Sequence, residues 1–212
     1  VGLKGNMVEW RYGYVKKKID YTLKTQGGEK PMNITTRDFL QMLYGKCTEG
    51  CITITTLPDS RNEHIPVTEL DKAAERIKVL GTSANTYYCV ALRQEGLPSS
   101  VRGGIEQIYK VVCMVADVDV LGPAHKETAL PKTEEEAIVF VNSLKLKPSI
   151  IVRSGNGVHA IWMLDEPFII HDENEREQIR ELVCMSSQRA ARKAGSWTTC
   201  RTSLVCPAHR VR

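Results

Sequence analysis

Ten consecutive residues, Val111 to Val120, read Val-Val-Cys-Met-Val-Ala-Asp-Val-Asp-Val, with Asp117 and Asp119 the only charged residues among them. A short apolar run this rich in β-branched residues is expected to form a buried strand. A strand's period of two puts both carboxylates on one face, about 6–7 Å apart at roughly 3.3 Å rise per residue. Two bare carboxylates that close repel each other and are costly at a strand end unless a cation sits between them. Magnesium or manganese, which take oxygen ligands, are the natural candidates. The plainer reading is of helix-cap or surface carboxylates. It fits poorly, because both flanks are apolar and no helix starts directly after.

A second stretch follows some way along the chain. Ser149–Arg153 and Val158–Leu164 are apolar, β-rich runs separated by a Gly-Asn-Gly segment, a strong hairpin signal. With Asn156 and Gly157 as the two turn residues, Gly155 opposes Val158 and Ser154 opposes His159, a cross-strand pair on one face. A hydroxyl and an imidazole beside glycine amides suit phosphate oxygens, and metal-bound carboxylates nearby suit the same phosphate from the other side. The bland alternative for His159 is a core histidine satisfied by a backbone carbonyl. Arg153 and Trp162 are expected on the opposite face, Arg153 as a surface charge and Trp162 as core.

A D-x-D strand followed by an S-G-x-G-x-H hairpin resembles the first two motifs of the archaeo-eukaryotic primase superfamily, the primase-polymerases. The likeness extends through Phe39-Leu40-Gln41-Met42-Leu43-Tyr44-Gly45, Ala91-Leu92-Arg93 with Arg102-Gly103-Gly104, and Gly122-Pro123-Ala124-His125-Lys126, and covers roughly Met32 to Gly195. It is similar to the primases of phages, plasmids and other mobile elements, where the domain commonly precedes a helicase. The resemblance implies a primase-polymerase core with an RRM-like half, joining NTPs or dNTPs on a DNA template. It implies two Mg2+ or Mn2+ ions on Asp117 and Asp119, His159 in the catalytic set, and no organic cofactor. Ser154, Gly155, Asn156, Gly157, His159, Arg93 and Lys126 would seat the nucleotide. Arg93, Arg102, His125 and Lys126 sit in loops at strand ends, where ligand contacts usually arise, although each alone is more often a solvated charge. A D-x-D glycosyltransferase is a weaker reading, because it leaves the serine-histidine hairpin unexplained.

Composition sets few limits. The 212 residues are 42% hydrophobic, enough for one domain with a real core, and the net charge of +4 permits nucleic-acid binding without demanding it. Aromatic residues make up only 6%, so template binding is expected through phosphates rather than base stacking. No apolar run reaches membrane-spanning length and no signal peptide is apparent, which points to a cytoplasmic protein of a bacterial, archaeal or phage-infected cell. The seven cysteines show no disulfide-like framework and fit reduced thiols. Cys47 and Cys51, with Cys200, Cys206 and His209, offer only a loosely spaced zinc set, and ordinary thiols are the simpler reading.

The elements alternate, predicting an α/β (α+β) fold with a mixed sheet covered by helices. Residues 1–31 read as an extension or as a hairpin over Val8–Leu23 packed on the core, and 32–195 as the catalytic domain. Thr35 or Thr36 is expected to cap a helix to Tyr44, followed by a strand Cys51–Thr56, a polar loop and a helix Thr68–Leu80. A strand Thr86–Leu92 and a Gly/Pro/Ser-rich loop then lead to the aspartate strand. Thr133 with Glu136 reads as a capping box for a helix ending near Leu144. Asp165-Glu166-Pro167 is most simply a strand terminus, and Asp172–Lys193 a long amphipathic helix.

The tail, 196–212, is aberrant. A two-metal site normally needs a third carboxylate, which in this superfamily comes from a later strand, yet no Asp or Glu follows Glu181. A reading-frame slip near Gly195 would account for this. The Trp197/Thr198 codon junction spells an aspartate without choice, and the alternative frame can read Lys-Leu-Asp-Asp-Leu-Ser-Asp-Leu-Ala-Arg-Val-Pro-Gly-Thr, resembling the family's closing motif. The rival expectation is a non-catalytic replication module that keeps the fold to bind DNA or nucleotide.

Overall fold

The structure, a computed structural model, describes residues 34–122, 130–153, 157–181 and 201–202. The leader 1–31 and nearly all of the tail therefore lie outside the described residues. Helix α1 (Thr36–Tyr44) starts where its chemistry says it should: Thr35 accepts from the Asp38 amide while the Asp38 carboxylate accepts from the Thr35 amide at 3.0 Å. Strands β1 (Cys51–Leu57) and β2 (Asn62–Pro66) form a hairpin, followed by α2 (Leu70–Gly81), β3 (Asn85–Tyr88) and β4 (Leu92–Arg93). After the loop, β5 (Ile108–Asp119) is the long central strand. Helix α3 (Glu134–Ser143), β6 (Ile150–Arg153) and β7 (Gly157–Ile169) follow, then α4, described over 173–181, and β8 (Arg201–Thr202).

The sheet runs β2-β1-β4-β5-β7-β6, with β3 also on β1 and β8 also on β5. Every strand pair is antiparallel, which corrects the expected mixed sheet. The helical crossovers are present, but each spans an inserted strand. Since β2 and β3 both run against β1, and β5 and β6 both run against β7, α2 and α3 join strands that point the same way without touching. This is the split β-α-β arrangement. Alternation of helix and strand predicts a crossover; it does not say that the joined strands are neighbours.

Helices cover both faces. On one, Leu40, Leu43 and Tyr44 of α1 and Ala73 and Ile77 of α2 pack with Cys113, Val115, Ile150 and Ile161. On the other, Ala137 and Val141 of α3 pack with Val118, Val158 and Ala160, while Ile179 of α4 packs with Ile108, Val111 and Ile170. Trp162 is half-buried against the α3 cluster, on the face away from His159. Among the described residues no helix is long and apolar enough to cross a membrane.

Three other local expectations change. The polar segment Asn62–Pro66 is a strand rather than a loop, because its polar groups find partners on β1 and on α2: Thr55 donates to Asn62 at 2.8 Å and Arg76 bonds Glu63. Thr86–Leu92 divides into β3 and β4. Asp165-Glu166-Pro167 does not end its strand: β7 continues to Ile169 with a register break, Met163 opposing Cys113 and Phe168 opposing Val111. Proline cannot donate to a ladder, so the extra residues are shed at a bulge containing Pro167.

Candidate active site

Strand β5 carries alternating side chains toward α1 and α2. Cys113 and Val115 are buried on that face, and the same row continues to Asp117 and Asp119, both half-buried near the strand's C-terminal end. Pairing with β7 places His159 directly opposite Asp117 and Gly157 opposite Asp119. His159 Nε2 lies 3.1 Å from Asp117 Oδ1, with the histidine side chain 4% and the aspartate 20% exposed. A carboxylate is therefore one partner of the imidazole, joined across the strand pair.

The expected hairpin register is corrected. Val152 opposes His159 and Arg153 opposes Val158, where the expected register set Ser154 against His159 and Gly155 against Val158. The cause lies in Gly157, taken as a turn residue by the Asn-Gly signal but held in β7 by its contact with β5. A Cβ there would run into the Val118 carbonyl oxygen and stand 2.9 Å from Asp119 Cα, so only glycine permits the strands to approach. Gly157→Ala should cost about 1–3 kcal/mol through overpacking and push the two strands apart at the site. Chemical denaturation measures the first effect, and a wild-type midpoint would show that the close approach is dispensable.

Ser154, Gly155 and Asn156 lie outside the described residues, as do His125 and Lys126. Arg153 is exposed, its Nη1 donating to Glu134 at 3.1 Å and Glu135 at 2.7 Å on the first turn of α3. The Arg153 hydrogen bond holds the Glu135 carboxyl below the usual range. Arg93 is nowhere near the carboxylates. It pairs with Ile108 at the opposite end of β5, nine residues from Asp117, or about 30 Å along the strand.

One neighbour escaped sequence reasoning. Strand β8 lies along the same stretch of β5, with Arg201 opposite Asp117 and Thr202 opposite Ala116. Position 201, paired with Asp117, holds arginine. No pattern around Thr199–Ser203 signals a strand, and two residues carry too little periodicity to do so.

Among the described residues no group of three or more His, Cys, Asp and Glu side chains could hold a metal ion. Asp117 and Asp119 remain a pair of hard oxygen donors on one face; with water and substrate phosphate oxygens they fit one divalent ion, while a second would call for another carboxylate. Of the loose zinc set, Cys47 and Cys51 are buried, and burial pushes both thiols up. Cys200, Cys206 and His209 lie outside the described residues. Comparison of the chain with protein-family models, curated proteins and solved structures gives no match in any of the three.

Proposed function

We propose that the chain is a nucleotidyltransferase domain of the primase-polymerase type, acting on nucleoside triphosphates over a DNA template. The observation that carries this reading is the cross-strand constellation at the end of β5: two carboxylates at i and i+2 on one face, with a buried imidazole 3.1 Å from the first. Asp117 and Asp119 would hold Mg2+ or Mn2+, which when bound neutralises triphosphate charge and lowers the pKa of an attacking hydroxyl. His159 orients Asp117: with Nε2 donating to Oδ1, the other carboxylate oxygen is left to face a ligand. The half-buried setting strengthens each of these charge interactions relative to open water.

A non-catalytic replication module is favoured by one specific observation: the strand residue paired with Asp117 from β8 is not a carboxylate. Metal-dependent incorporation of labelled nucleotide on a primed template separates the readings. Incorporation that vanishes with chelator supports catalysis, whereas nucleotide or DNA binding without turnover supports the module.

His159→Ala should weaken binding of all four nucleoside triphosphates alike, by about tenfold, because it removes a charge-assisted hydrogen bond from the carboxylate and touches no base. Titration calorimetry with the four triphosphates reads this directly. A loss confined to one or two bases would give His159 a base-reading role instead.

A further inference from the structure

Arg93 is the largest side chain among those the described fold buries fully, with 1% of its surface exposed. Its Nη2 donates to the Gly103 carbonyl at 3.1 Å, but Nε and Nη1 are shielded from water with no hydrogen-bond partner. A buried charge left this way is strongly unfavourable unless something pairs it. The same fold shows the ordinary solution in Arg176, 8% exposed, whose guanidinium donates to the carbonyls of Ile105 and Ile108 and to Glu173. Glu95 accepts from the Gly50 amide at 3.3 Å and the Glu106 carboxylate lies against Gly104, and neither meets the Arg93 Nε or Nη1 donors.

The roof over this guanidinium is built to approach it closely. Gly103 has φ +82°, and a Cβ there would sit 2.7 Å from Arg93 Nε and 2.8 Å from Cδ. Arg102, a second cation, is exposed in the same loop. A planar, permanently charged guanidinium beside glycine backbone suits an oxyanion, and two cations suit a dianion better than a carboxylate.

We propose that Arg93 anchors a phosphate-binding site beneath the Gln94–Gly104 loop, taking a phosphate group on the unsatisfied Nε and Nη1 donors. The site is separate from Asp117 and Asp119. At about 30 Å along β5, the triphosphate of a nucleotide bound to the carboxylates does not reach it. The loop is tied to the sheet, Asn62 donating to the Ser99 carbonyl at 3.3 Å and His64 Nε2 lying 2.8 Å from that of Val101. A phosphate reaches the guanidinium when the segment between these ties and Gly103 lifts, and it replaces the missing acceptor when the segment settles.

The test is the thermal midpoint of the full chain in inorganic phosphate against chloride at equal ionic strength and pH. A ligand that binds only the folded state raises Tm, here by several degrees at saturation. Wild type should show the rise. Arg93→Met should melt higher than wild type without phosphate and fail to respond to it. Arg93→Lys, which keeps the charge and loses the planar donor set, should respond weakly and serves if the methionine variant does not fold. The Asp117→Ala/Asp119→Ala variant should keep the full response; if it loses it, the response runs through the far end of β5 and the Arg93 assignment falls while the proposed function stands. No rise in wild type beyond chloride with either inorganic phosphate or a single-stranded oligonucleotide, or an equal rise in Arg93→Met, also overturns the site. A single-stranded oligonucleotide as second ligand identifies the source: an Arg93-dependent rise with it alone assigns the phosphate to a nucleic-acid chain, and one with inorganic phosphate assigns a free anion.

Discussion

Replacing Asp117 and Asp119 together by alanine is expected to abolish divalent-metal-dependent nucleotide binding and reduce any nucleotide incorporation to background. Removing one group that stabilises transition-state charge typically costs about a hundredfold to a thousandfold in rate, and here both go at once. The fold should survive. Strand β5 is held along its length by β7 and at its start by β4, and neither carboxylate is part of a hydrophobic cluster. Two opposing effects act on stability. Loss of like-charge repulsion favours the folded state, while His159 loses the Asp117 contact, worth about 1–3 kcal/mol if nothing replaces it. Calorimetric titration of Mn2+ with a triphosphate, beside a circular-dichroism melt, reads both. Unchanged affinity in a folded double variant would remove the metal assignment.

The second large effect should be a gain. Because β8 pairs position 201 with Asp117, Arg201→Asp is expected to bring a third carboxylate to the pair. Incorporation is expected to rise by about a hundredfold or more over the starting chain. Arg201→Ala separates the two contributions: it removes the positive charge without adding a ligand and should give a much smaller rise. A companion variant replaces the tail from Ser196 with the alternative-frame sequence. Counting along that frame, its third aspartate falls at the Arg201/Thr202 codon junction, the same two residues that pair with Asp117 and Ala116. Equal activity in the original and both altered chains would show that β8 supplies no catalytic group, and genomic sequence without the alternative motif would remove the frame slip.

What could be read in advance was whatever depends on local period. The shared face of Asp117 and Asp119, the placement of Trp162 away from His159, and the caps of α1 and α3 follow from residues within a few positions of one another. The Asp117–His159 contact joins residues 42 positions apart, and its register depends on how β7 meets β5. The Asn-Gly signal located the hairpin but misassigned Gly157, since a turn and a tight strand crossing ask for the same missing side chain. Asn62–Pro66 looks like a loop until Thr55 and Arg76 are beside it. Arg93 looked like a loop-end ligand, and only the fold reveals that it is buried at the far end of the sheet. The all-antiparallel pairing was hidden for a related reason: strand insertion is a property of topology, and no single segment encodes it.

The ends of the sheet path have a bearing on how copies of the chain behave toward one another. An open strand edge is a template on which a second molecule can add its own strand, the usual beginning of aggregation. Here β6 offers only four residues, preceded by Pro148 and finished by an Arg153 tied to α3. At the other end β2 is five residues long, carries Glu63 ion-paired to Arg76, and stops at Pro66. Short length, fixed charge and proline are the features that make an edge a poor template. The long apolar strands β5 and β7 instead pair with each other, and β4 and β8 add to β5 at Ile108–Lys110 and Ala116–Asp117 while β6 adds to β7 at Val158–Ile161. Among the described residues, strand order thus places the longest apolar strands inside the sheet path and the short, charged or proline-bounded ones at its ends.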